Sequence, residues 1–431
     1  MIVPILVIFL GLIFLGLPIA FSMGATTSIM IIANGWDLQM VVQKAFMGVN
    51  SFSLLALPLF ILAGNIMGEG GLTRRLLRLA DAIMGRLPGG MAITSIATCA
   101  LFGTVSGSTV ATTFAIGSVM APELKKQNYD KGFIASILGP SGTLGMLIPP
   151  SITMVILGVT CNISIGKLFM AGFLPGILLA LLMCVYAAFM AKRKGFGTIR
   201  TEKTPIKEFL LICADAILPL MTPVIILGGI FTGTFTSTEA AAVAVVYGLL
   251  LAIYYKELNW SRMGSILLDS TISSATILII IAVSNAFGWL LTVAKVPSMV
   301  ASFFLQYAST PLTFLLIVSA LLIPLGMVME VTSIIILLGP IFMPIAISYG
   351  IDPVHFGLVF MMNFALANVT PPVGVSTLAG LTVTDPNIGL EDTVPYLWHI
   401  IGVIVISILL IIVFPQISLF LPNLFGVGNV G

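Results

Sequence analysis

Apolar runs long enough to cross a bilayer follow one another along nearly the whole chain, and polar residues gather in short clusters between them. This pattern predicts an all-α, polytopic membrane protein. Two of the runs are interrupted where a membrane helix should be deepest. "GTLGMLIPPS" (142–151) and "ALANVTPPVG" (365–374) each combine glycine with a Pro-Pro pair. Proline removes an N–H and clashes with the preceding turn, so each run predicts a discontinuous helix, at 131–160 and at 354–384.

The two interruptions are part of an internal repeat. Asn65 and Asn285 lie 220 residues apart, as do Pro175 and Pro395. Pro122 and Pro344, Asp130 and Asp352, and the two Pro-Pro pairs lie 222 apart. One domain of two repeats, 1–200 and 215–431, follows from these landmarks, with a linker at 201–214 continuing the basic stretch "KRKGFGTIRTEKTPIK" (192–207). Each repeat predicts a helix, a break ("LPIAFSMG" or "TFTSTEAA"), a second short helix and a longer helix (46–68 and 266–290). A hairpin, the discontinuous helix and a final helix follow.

Positive charge sets the sides. Arg74, Arg75, Arg78 and Arg86, then Lys125, Lys126 and Lys131, then 192–207, then Lys256 and Arg262 are placed in the cytoplasm. The segment 88–121 starts and ends on that side, so it is expected to be a re-entrant hairpin with its tip at "FGTVSGST" (102–109). If the first two short segments are one helix, each repeat has four crossings and there is no inversion; five crossings per repeat invert the second repeat. Its hairpin, 311–347 with the tip "GMVMEVTS" (326–333), then enters from outside, and both termini lie outside. In "GLTRRLLRLADAIMGRL" (71–87), Leu72, Leu76, Leu79 and Ile83 share one face, which predicts an interfacial helix; the alternative is a solvated charge run.

Composition agrees with the pattern. The chain is 59% hydrophobic and 8% charged, against about 25% charged in soluble domains. A net charge of +2 with no long basic run gives no sign of nucleic acid. Cys99, Cys161, Cys184 and Cys213 lack metal-ligand spacing and read as small hydrophobes. The opening "MIVPILVIFLGLIFLG" has no basic leader region or small-residue cleavage site and reads as a retained helix.

An unpaired backbone group in hydrocarbon costs several kcal/mol, so broken helices persist where the freed groups line a cavity or hold a ligand. A lone proline is usually a kink, but two matched breaks, each preceded by a hairpin, suit a transporter. Freed carbonyls suit a cation and half-helix N-termini an anion. Hydroxyls at 104–109, 141–143 and 370 add oxygen donors, and 133–160 and 356–384 hold no Asp, Glu, Lys or Arg. Neutral oxygens favour Na⁺ over Mg²⁺ or Ca²⁺. Glu330 reads either as an ion or proton ligand or as a helix cap. His355 and His399 read as interfacial, with proton relay as the alternative, and Asn65 and Asn285 as caps or braces of the hairpins. An enzyme is disfavoured: there is no His-Glu-x-x-His, and "GTVSG" is one residue longer than a Gly-x-Ser-Gly loop. A passive channel would not need two hairpins of opposite entry.

"FILAGNIMGEGGLTRRL", "LFGTVSGSTVAT", "LGPSGTLGMLIPPS", "GMVMEVTSIIILLGPIFMPIA" and "FALANVTPPVG" together resemble the large membrane subunit of tripartite ATP-independent periplasmic (TRAP) transporters, a DctM-like family of the ion-transporter superfamily. The resemblance runs through 1–425. It implies a lipid-embedded protein of the bacterial or archaeal cytoplasmic (inner) membrane, with periplasmic termini. It implies a small four-helix membrane subunit, a periplasmic substrate-binding protein and no organic cofactor. It also implies Na⁺-driven import of a small organic acid, sialic acid or another sugar acid or a C4-dicarboxylate, by an elevator of transport and scaffold domains. One Na⁺ site would involve Gly103, Ser106, Ser108, Gly145, Ile148 and Pro149. The other would involve Gly326, Met329, Glu330, Thr332, Asn368, Val369 and Thr370. Ser106, Thr109, Ser141, Thr143 and Asn363 are the implied substrate contacts. The rival reading is a proton- or sodium-coupled anion transporter or exporter of the same fold that needs no binding protein.

Overall fold

A computed structural model describes residues 1–69, 71–197, 205–257 and 260–425, and all regular structure among them is helical. Seven helices are long and apolar enough to cross a bilayer among the described residues, or up to nine if each of two bent pairs is one span. Their outward stripes are apolar. Leu181, Val185 and Phe189 project from the helix Ile165–Lys194, while Leu179, Met183 and Ala187 on the same helix are buried. Hydrocarbon, not water, is the solvent in which such a surface is stable.

The helices fall into two packed groups. Ile2–Phe14, Ile19–Ala33, Gln39–Val49 and Ala56–Glu69 pack with Ile206–Phe231, Ser237–Tyr254 and Trp260–Val293. The other group holds two helix–turn–helix pairs, two broken helices and the helices Ile165–Lys194 and Leu390–Val413. Contacts recur in reciprocal form. Ile152–Thr160 packs on Val331–Ser348, and Val375–Thr384, displaced by about one repeat, packs on Thr109–Lys126. Asp130 caps Lys131–Gly142 by accepting from the Phe133 N–H at 3.1 Å, and Asp352 caps Pro353–Ala367 by accepting from Val354 N–H at 2.8 Å.

In the two helix–turn–helix pairs, Gly90–Ser106 turns at Gly107 into Thr109–Lys126, and Pro311–Val328 turns at Met329–Glu330 into Val331–Ser348. Gly107 sits at φ +62°, and a Cβ there would lie 2.9 Å from Pro150 O, so both conformation and space call for glycine. Pro149 and Pro150 separate Leu144–Leu147 from Ile152–Thr160. The two pieces of this broken span, Lys131–Leu147 and Ile152–Thr160, are bent by 45°. Pro371 and Pro372 lie between Pro353–Ala367 and Val375–Thr384, and the peptide bond within each Pro-Pro pair is cis.

Three expectations are corrected. The longer first-repeat helix, expected at 46–68, is two helices bent by 65° around a 3₁₀ turn at Phe52–Leu55. Ser51 is extended there, whereas the corresponding part of Trp260–Val293 stays helical. In that part the Ser270, Thr271 and Ser274 hydroxyls donate to carbonyls one turn back. The expected linker 201–214 is already helical from Ile206; residues 198–204 of the basic stretch lie outside the described residues. The helix expected at the interface runs over Leu72–Met84 and buries Leu72, Leu76 and Leu79, but Ile83 is exposed. Arg75 is not a solvated charge. It pairs with Asp215 at 3.1 Å and Glu257 at 2.9 Å and lies 3.5 Å above the Tyr255 ring.

Candidate functional site: a cavity between two hairpin tips

A cavity of about 830 Å³ opens between the two helix groups. Four helix N-termini face it: Thr109–Lys126, Ile152–Thr160, Val331–Ser348 and Val375–Thr384 each contribute their opening residues to its wall. Their caps are Ser108, Ser151, Glu330 and Gly374. Ser151 Oγ accepts from Met154 N–H at 3.4 Å, and Glu330 accepts from Ser333 N–H at 3.0 Å. The remaining first-turn N–H groups and aligned dipoles make this a place where negative charge is stabilised. The helices Ala56–Glu69 and Trp260–Val293 close the far wall.

Of the expected site residues, Ser106, Ser108, Thr109, Glu330, Thr332 and Asn368 line this cavity. Gly103 and Gly145 sit just behind, in backbone contact: a Cβ on Gly103 would fall 2.7 Å from Gly145 Cα. A Cβ on Gly145 would lie 2.9 Å from Ser108 O and 2.6 Å from Thr112 Oγ1. Ile148 and Pro149 are not among the residues lining the cavity, and Ile148 is buried against Gly176 of Ile165–Lys194. In the second half, Gly326 packs on Ala367, Met329 ends its helix, and Thr370 Oγ1 donates to Leu366 O at 2.7 Å. The carbonyls of Asn368 and Val369 accept from Ser376 N–H (3.0 Å) and Thr377 Oγ1 (2.8 Å). Each retains a second lone pair.

Other expected residues stand away from the cavity. Ser141 and Thr143 are fully buried and donate to Ile137 O and Pro140 O. Asn363 is fully buried and donates to Ser319 Oγ and Val359 O. All three face into the helix packing, so none contacts the cavity in this conformation. Glu330 is a helix cap. Asn65 does not cap a hairpin: its Nδ2 donates to Ser270 Oγ at 2.9 Å, bracing the far wall. His355, expected at an interface, is buried, its Nδ1 2.8 Å from Ser418 Oγ, and His399 stacks on Tyr186.

Three residues were missed. Thr112 and Ser376 are fully buried, and their hydroxyl oxygens have no partner among the described residues. Thr112 Oγ1 stands against Gly145, and Ser376 follows the second break, where its N–H donates to the Asn368 carbonyl. Nothing marks them in the sequence, because Ser and Thr are common in membrane helices. Asp269 lines the cavity from Trp260–Val293, in a stripe with Ile266, Ser273 and Ile277. Its signal was present: it is the sole acid in a 34-residue helix.

A family model for the DctM component of tripartite ATP-independent periplasmic transporters matches residues 6–417. The chain belongs to this family. It is 37% identical to the C4-dicarboxylate TRAP transporter large permease protein of Pseudomonas aeruginosa, over 89% of this chain and 90% of that one. It is 34% identical to the sialic acid TRAP transporter large permease protein of Vibrio cholerae, over 97% and 98%. Among solved structures it is similar to the YdaH transporter of Alcanivorax borkumensis, with a TM-score of 0.61 at 15% identity, over 86% and 87% of the two chains; that likeness is one of fold. The cavity is therefore a feature of a TRAP large permease, a transport component and not an enzyme.

Proposed function

We propose that this TRAP large permease is a sodium-coupled importer of a small organic acid, with the cavity between the hairpin tips as its inward-open substrate site. The observation that carries this is the convergence of four helix N-termini on one cavity, flanked by the Gly103–Gly145 backbone contact in one half and by the Asn368 and Val369 carbonyls of the second break in the other. The orphaned hydroxyls of Thr112 and Ser376 support a Na⁺ in each half, beside Gly103, Ser106, Ser108 and Gly145 in one and Glu330, Thr332, Asn368, Val369 and Thr370 in the other. An unsatisfied buried hydroxyl costs about 1–3 kcal/mol, and an ion would relieve that. The cavity uses the N-terminal half of Trp260–Val293, whose flank carries Lys256 and Arg262; the positive-inside rule puts that end in the cytoplasm.

The substrate is a C4-dicarboxylate or a sialic or related sugar acid, as the relatives' names indicate for them. It reaches the inner-membrane permease from a periplasmic binding protein. Trp260–Val293 leaves Leu267, Leu268, Ile272 and Ile279 uncovered, a face suited to the small membrane subunit. Reciprocal packing and the separation of Ile2–Phe14 from Ile19–Ala33 support two inverted repeats, 1–200 and 215–431. In this reading the hairpin-bearing group slides against the scaffold as an elevator. Two Na⁺ with a monoanion move one net charge, which gains about 2.3 kcal/mol per 100 mV; with a dianion they move none.

Proteoliposomes holding the chain with its small subunit test this. Uptake of labelled acid should require both an inward Na⁺ gradient and the loaded binding protein. Uptake of free acid under a proton gradient alone would replace this reading with that of a binding-protein-independent anion transporter.

A further inference from the structure

The cavity has a counterpart at the other end of the same helix. A second cavity of about 460 Å³ is lined by Ile281, Ser284, Asn285 and Gly288 of Trp260–Val293, positions that correspond to Ile61, Gly64, Asn65 and Gly68 in the wall of the first. The two differ in charge. The first contains Asp269 and Glu330 and no basic residue among those lining it. The second contains Lys44, its Nζ 5.7 Å from the Trp289 ring, and no acid.

Asp269 has no salt-bridge partner among the described residues. It stands seven residues beyond Arg262, about 10 Å along the helix axis. An acid at the centre of a membrane helix costs about 2.5–3.5 kcal/mol on insertion scales, so a carboxylate in such a helix faces water or a partner. Asp269 faces the vestibule. It belongs to the far wall, on Trp260–Val293, whereas the four helix N-termini belong to the hairpin-bearing group, so its charge opposes a free anion in the cavity rather than holding one. Glu330 differs: its carboxylate is engaged by the Ser333 N–H.

We propose that Asp269 is an electrostatic rectifier, which makes the inner vestibule repel organic anions and so disfavours recapture of the released acid, while Lys44 gives the outer vestibule the opposite sign. This rests on the inward-open reading above. A charge at the mouth of a low-dielectric cleft changes the local concentration of a charged solute without contacting it, and salt weakens the effect by screening it beyond a Debye length of about 10 Å at 0.1 M.

The test uses the complete complex in proteoliposomes, with loaded binding protein outside so that only one orientation is active. Unlabelled acid is preloaded inside, and the internal concentration giving half-maximal change in the initial uptake rate is measured. In D269N that concentration should fall about three- to tenfold at low internal ionic strength, and internal potassium chloride should close the gap. D269E should match the wild type. S273D, which adds an acid on the same stripe and leaves Asp269 in place, should raise the concentration, so a poorly folding D269N does not end the test. An unchanged value in both D269N and S273D, or a shift that salt does not reduce, overturns the proposal. Loss of sodium-dependent uptake in the wild-type complex would instead count against the transport reading.

Discussion

Gly103 and Gly145 show how a site can rest on the absence of side chains. Their backbones meet where the first hairpin tip crosses the first break, and Gly103→Ala would drive a Cβ to 2.7 Å from Gly145 Cα. That variant is expected to raise the half-saturating Na⁺ concentration at least about tenfold, roughly 1.4 kcal/mol or more, in a sodium titration of uptake. Thr112→Val and Ser376→Ala remove orphaned hydroxyls, so they should weaken Na⁺ dependence with little change in thermal unfolding midpoint. A large stability loss would show that those hydroxyls are structural. Just past the end of Val375–Thr384, Asp385 is held at about 2, from its ordinary 3.8, chiefly by the hydrogen bond from Lys131 at 2.8 Å. A carboxylate with a lowered folded value stabilises the fold above its unfolded value and stops doing so as pH falls through the folded one. Asp385→Asn should therefore lower the unfolding midpoint at pH 7, and the gap to wild type should close between pH 4 and 2.

At the scale of elements, the pattern of apolar runs and Pro-Pro pairs made both broken helices and both hairpins legible, because steric and hydrogen-bonding rules act locally there. The 65° bend at Phe52–Leu55 was not legible, since its sequence is as apolar as that of its unbroken counterpart. The hydroxyls at 104–109 were expected at the site and several do line it, whereas Ser141, Thr143 and Asn363 face inward. A helix's period says that a residue is polar at depth but not whether its neighbour is a cavity or another helix. Gly107 joins the hairpin to the break: its carbonyl accepts from Ile152 N–H at 3.3 Å. Gly107→Ala is expected to displace the tip and reduce uptake severely, while the complex with the small subunit still assembles on size-exclusion chromatography.

For the whole molecule, the proposed mechanism moves one helix group against the other. The groups touch where Ile165–Lys194 meets Ile206–Phe231, and a Cβ on Gly166 would lie 2.9 Å from Ile230 Cγ2. Neither residue lines the cavity. The double variant Gly166→Cys/Ile230→Cys brings two thiols within disulfide reach. The deciding measurement is sodium-dependent uptake by this variant, oxidised and then reduced, beside each single-cysteine control. Uptake that is lost on oxidation, restored by reductant and unaffected in the controls is the predicted result. Full uptake by a variant whose cross-link is complete would contradict the movement of the two groups and, with it, the mechanism.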